Sequence, residues 1–172
     1  MSRGLGDVYK RQLVSSVKGF ENWLSNLDIV YVGGGNTKFM LKYWKENNLI
    51  GLFKEVYNSG IILSGVSAGA ACWFDCFLTD SDGPGFKSIN GIGLLTGSFT
   101  PHYSDSKRAE KYRENIKNKT LPDGIAVDDG VAVLFIDGKT TEVYSSRKGH
   151  NAYFVNQNKQ FNLKEYIKIN NE

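Results

Sequence analysis

The chain has 172 residues, 41% of them hydrophobic, which is enough for one domain with a buried core. No apolar run approaches the roughly 18 residues that a membrane-spanning helix needs, and no secretory signal pattern is visible. The formal charge of +3 is too small to argue for nucleic acid or a membrane surface as a partner.

Residues 1–12, MSRGLGDVYKRQ, differ in character from the rest. The stretch DVYKRQ resembles the in-frame translation of a transposon-end sequencing adapter. The expectation is that residues 1–12 are an adapter scar and that residues 13–172 form one domain. Without Arg3, Asp7, Lys10 and Arg11 the formal charge falls from +3 to +1.

Residues 14–25 read as a short amphipathic helix, and 28–32 (DIVYV) as a compact apolar strand. Gly33-Gly34-Gly35-Asn36-Thr37 follows, then a helical pattern, FMLKYWKENNL. A second helix covers 50–58 and is closed by Gly60. The short strand Ile61-Ile62-Leu63 runs into Gly65-Val66-Ser67-Ala68-Gly69, and Ala70-Ala71-Cys72-Trp73-Phe74 starts a helix of small residues. Cys72 and Cys76, four apart, would share a face of that helix as buried free thiols. Two cysteines do not make a disulfide framework, and with only His102 and His150 to add nitrogen ligands no metal site is expected.

Residues 79–91 (TDSDGPGFKSING) form a loop rich in turn residues, and 93–99 a strand leading to Pro101-His102. A charged, exposed helix is expected at 105–118. Strands at 125–127 and 131–135 flank Asp128-Asp129-Gly130, Asp137-Gly138 reads as a hairpin turn before 141–144, and 152–155 is a last strand before a polar tail. Strand, glycine turn and helix occur twice in succession. That alternation predicts an α/β fold with a mainly parallel sheet flanked by helices.

The chemistry concentrates at G-x-S-x-G. Between a buried strand and a helix, this spacing is a nucleophile elbow: a strained turn projects the serine, and flanking glycines keep Cβ atoms out of it. Ser67 is the candidate nucleophile, with the Ala68 amide as oxyanion donor. Gly33-Gly34-Gly35 lacks the spacing of a dinucleotide or P-loop cradle and is read as the second oxyanion element. A serine needs a base. His102, just after a strand, suits that place better than His150, which sits in a surface turn. Asp128 or Asp129 would orient the imidazole. The order Ser, His, Asp disfavours the α/β-hydrolases, which run Ser, acid, His.

The motifs VGGGNT (32–37), GVSAGA (65–70), PHY (101–103) and DDG (128–130) resemble, in order and spacing, the peptidase E family of aspartyl dipeptidases. The resemblance implies a class I glutamine-amidotransferase-like, flavodoxin-like fold. It also implies a cytoplasmic serine peptidase that takes short peptides and uses no cofactor. By position it makes Ser67 the nucleophile, His102 the base and Asp129 the acid, with Gly35 and Ala68 as oxyanion donors. Asp82, Arg108 and Asn36 become substrate-binding candidates: Asp82 for an amino group, Arg108 for a carboxylate. Family members begin with a further strand–helix–strand section, so the expectation is a chain lacking that section, with an exposed apolar sheet edge and low stability. A cyanophycinase-like hydrolase of aspartyl-arginine polymer and a non-catalytic amidotransferase-like binding domain are the alternatives.

Overall fold

The computed structural model describes residues 18–81 and 83–170. The adapter-like segment and Asp82 lie outside the described residues. In chain order the elements are α1 (Phe20–Leu24), β1 (Ile29–Val32), α2 (Thr37–Glu46), α3 (Leu49–Asn58), β2 (Ile62–Gly65), α4 (Ala68–Ala71), β3 (Phe74–Thr79) and β4 (Lys87–Asn90). They continue with β5 (Leu95–Thr100), α5 (Ser106–Lys117), β6 (Gly124–Val127), β7 (Val131–Ile136), β8 (Lys139–Ser145), β9 (Ala152–Val155), β10 (Gln160–Asn162) and α6 (Leu163–Asn170).

The fold is α/β. β1 and β2 pair in parallel, Ile29 opposite Ile62. A six-stranded sheet runs β10-β9-β6-β5-β3-β4. Its centre, β3-β5-β6, is parallel, and its edges are antiparallel. β7 and β8 form a separate hairpin. Its turn is Asp137-Gly138 with φ of 51° and 75°, the positive values a tight two-residue turn between twisted strands requires.

The helices bury aromatic stripes against the sheet. Trp44 of α2 meets Phe53 of α3 at 4.4 Å between ring centroids, and Phe53 meets Trp73 edge-on at 5.6 Å. Such pairs add about 0.5–1.5 kcal/mol each beyond their burial. Asn36 caps α2 and Asp105 caps α5 through their side chains, each satisfying an amide that the first turn leaves open. Ile29, Tyr31 and Ile62 remain exposed on the β1-β2 pair.

Four local expectations are corrected. The expected loop at 79–91 contains β4, whose backbone pairs antiparallel with β3. The helix after Ser67 stops at Ala71, and Phe74–Thr79 is a strand. The aromatic run FDCFLT finds backbone partners on both sides, in β4 and β5, and that ladder overrides the helical reading of its small-residue prefix. Cys72 therefore ends α4 while Cys76 lies in β3; both thiols are free, Cys72 buried and Cys76 half-buried. The 105–118 helix is not merely exposed, since Arg108, Ala109, Tyr112, Asn115 and Ile116 are buried. The polar tail contains β10 and α6, and Leu163 is fully buried.

Candidate active site

The parallel strands bring their carboxyl ends together, and the site forms there. β2 ends in Gly65, and Ser67 follows with φ 53° and ψ −111°. A non-glycine residue in that region stores about 1–3 kcal/mol of strain. The strain is held by packing on both sides. A Cβ on Gly65 would lie 2.1 Å from Gly69 O, and one on Gly69 would lie 2.1 Å from Val32 O. The two glycines of G-x-S-x-G thus let the elbow press against itself and against the end of β1. Val66 N donates to Val32 O at 3.1 Å, which ties the turn to that strand.

The Gly33-Gly34-Gly35 loop leaves β1 beside the serine. A Cβ on Gly34 would sit 3.5 Å from the Ser67 Cβ. Gly35 and Ala68 line one cleft of about 210 Å³ together with Ser67, Thr37, Asp80, His102 and Arg108. Asn36 is engaged at both ends of its amide: Oδ1 accepts from Phe39 N at 2.8 Å and Nδ2 donates to Ser81 O at 3.2 Å. It fastens the glycine loop to the 79–81 turn.

His102 follows β5, also with positive φ, 55°. Its Nε2 lies 2.9 Å from Ser67 Oγ, and its Nδ1 lies 2.5 Å from Asp129 Oδ1. A carboxylate can only accept, so Nδ1 carries a proton and Nε2 of the neutral ring is the acceptor facing the serine. Asp129 and His102 are both about two-fifths exposed. The bond to His102, followed by the one from Ser104, holds the Asp129 carboxyl below its ordinary 3.8; nearby Arg147 adds to the effect.

Asp128 turns elsewhere: its Oδ2 accepts from Asn151 N at 2.9 Å. Three residues make contacts at the site that the sequence reading did not assign to them: Asp80, whose carboxylate meets Arg108, Ser104 and His150. Ser104 Oγ donates to Asp129 Oδ2 at 3.0 Å. A hydroxyl two residues beyond the candidate base was the available signal. His150, considered only as an alternative base, lies with Nδ1 2.8 Å from the Asp129 carbonyl oxygen. Nothing in its local sequence announces that contact.

Arg108 is buried at the start of α5, where Asp105 caps its amide at 2.8 Å. Its guanidinium reaches Asp80 Oδ2 at 2.9 Å and Leu78 O at 3.3 Å, and stacks 4.7 Å over Phe86. Cys72 is fully buried, and that burial pushes its thiol well above its usual range, the setting of an unreactive structural cysteine. Among the described residues no group of three or more His, Cys, Asp or Glu could hold a metal ion. Among them too, no helix is long and apolar enough to cross a membrane.

Comparison with known proteins adds three findings. The model of peptidase family S51 matches residues 11–143. The chain is 44% identical to the uncharacterized peptidase YgaJ of Bacillus subtilis (strain 168) over 135 residues, 78% of this chain and 58% of that one. It is 28% identical to peptidase E of Haemophilus influenzae over 140 residues, 78% of this chain and 64% of that one. The chain therefore spans about six-tenths of the length of these curated relatives. A crystal structure of a peptidase from an acI-B1 Actinobacterium shares the fold, with a TM-score of 0.62 at 16% identity over 86% of this chain and 62% of that one.

Proposed function

The chain belongs to peptidase family S51, and from that premise we propose that it is a serine exopeptidase hydrolysing short peptides through an acyl-enzyme. The observation that carries this reading is the unbroken line from Ser67 Oγ through the His102 ring to the Asp129 carboxylate, at 2.9 and 2.5 Å.

The chemistry follows from the proton positions. Ser67 Oγ attacks the scissile carbonyl while His102 Nε2 takes the hydroxyl proton. Asp129 stabilises the imidazolium and holds its tautomer. The amides of Ala68 and Gly35 meet the developing oxyanion, where preorganised donors act without reorganisation. The imidazolium returns its proton to the departing amine, the acyl-enzyme forms, and water repeats the sequence. No step calls for a cofactor.

The test pairs a fluorophosphonate probe with aminoacyl-p-nitroanilides. N-terminal aspartate is included because the family resemblance implies it, beside leucine and lysine. Labelling and hydrolysis that both vanish in Ser67→Ala support the proposal. A folded protein that the probe does not label favours a binding domain. Labelling without cleavage of any short substrate, together with clearing of aspartyl-arginine polymer, favours a polymer hydrolase.

A further inference from the structure

Among the described residues, the cleft beside the triad holds one buried cation and one exposed anion. Among the described residues, its charged lining side chains besides His102 are Arg108 and Asp80. The Arg108 side chain is 7% exposed, and the Asp80 side chain 63%. Arg108 lies deep, and its guanidinium is already shared among the Asp80 carboxylate, Leu78 O and the Phe86 ring. A substrate carboxylate seeking Arg108 would have to displace Asp80 or sit against a like charge. Either costs binding, because a like charge within a few ångströms disfavours a second carboxylate. Asp80, by contrast, presents a carboxylate to the cleft that is mostly open.

We infer that Asp80 is a specificity-determining residue: by neutralising Arg108 it turns the subsite beside Ser67 away from acidic groups and toward neutral or cationic ones. The inference rests on the serine-peptidase reading above and deepens it. Arg108 supplies the framework that orients Asp80, and Asp80 supplies the sign of the field.

The experiment uses the full chain and three aminoalkyl diphenyl phosphonates, bearing aspartate, leucine or lysine side chains, with labelling of Ser67 followed by mass spectrometry. These probes report fit beside the nucleophile without needing a complete peptide substrate. The wild type should label at least tenfold faster with the leucine and lysine probes than with the aspartate probe. Asp80→Asn keeps the shape, removes the charge and releases Arg108; the aspartate-to-leucine rate ratio should rise at least tenfold. Asp80→Ser should move the ratio the same way, which guards against a local folding effect of the amide. Fastest labelling by the aspartate probe in the wild type overturns the inference. So does an unchanged ratio in both variants, or labelling by a plain fluorophosphonate with none by the three side-chain probes. Failure of the plain fluorophosphonate as well would take down the serine-peptidase reading itself.

Discussion

Gly69→Ala tests whether the elbow depends on backbone contact. In the native structure the added Cβ would stand 2.1 Å from Val32 O, 2.6 Å from Val32 C and 2.8 Å from Gly33 O. Ordinary contact begins at 3.4 Å, so the deficit is about 1.3 Å. All three atoms are backbone, and no side-chain rotation relieves them. Overpacking of this kind costs about 1–3 kcal/mol, which for a chain of this size lowers Tm by roughly 2–4 °C per kcal/mol. The displaced segment is also the one that leads into Gly35. A shift of about 1 Å at a positioning element costs about 100-fold in rate. Thermal unfolding and the fluorophosphonate labelling rate of Ser67 read the two effects separately. Gly51→Ala is the control. No atom lies within 4 Å of its added Cβ and it sits exposed in α3, so it should be neutral or stabilise by about 0.4–1 kcal/mol. Native Tm together with native labelling in Gly69→Ala would refute the argument that the glycine is there to admit the β1 backbone.

The remaining predictions concern the line from Ser67 to Asp129 and the buried thiol. Asp129→Asn should cut the labelling rate by about 10²–10⁴, because the amide no longer fixes the Nδ1–H tautomer; a loss under threefold would argue that His102 is oriented by something else. The folded Asp129 carboxyl titrates below its ordinary 3.8, so its contribution to stability is present above that value and is lost as pH falls through the folded one. Ser104→Ala removes one of the bonds behind that depression. Its acid-unfolding midpoint, followed by circular dichroism, should therefore move to higher pH, and an unchanged midpoint would count against the Ser104 contribution. His150→Phe should slow labelling several-fold by freeing the Asp129 carbonyl, while His150→Asn, whose amide can donate as Nδ1–H does, should restore most of it; equal rates in both would dismiss His150 as a positioning residue. Cys72, fully buried with its thiol bonded to Gly69 O at 3.3 Å, should resist iodoacetamide in the native protein and react only in denaturant, read by peptide mapping.

Local sequence determined the elements whose cause is local. The alternation of apolar strands, glycine turns and helical patterns gave the α/β class. Gly65, Ser67 and Gly69 mark a strained turn, because a Cβ at either glycine would collide with the backbone packed around a serine at φ 53°. Asp137-Gly138 marks a hairpin because both turn residues need positive φ. What local sequence did not determine is whatever depends on partners distant along the chain. The stretch at Phe74–Thr79 is a strand only because β4 and β5 flank it. Asp128 and Asp129 are equivalent as turn residues, and only the approach of β5 decides which carboxylate meets His102. The contact of His150 with Asp129 spans 21 residues, and the pairing of Asp80 with Arg108 joins the turn after β3 to the start of α5. Hydrogen bonds need donors and acceptors within about 3.2 Å and exposed charges are screened beyond about 10 Å, so the field inside the cleft is set by residues that the folded chain makes neighbours, not by those that the sequence does.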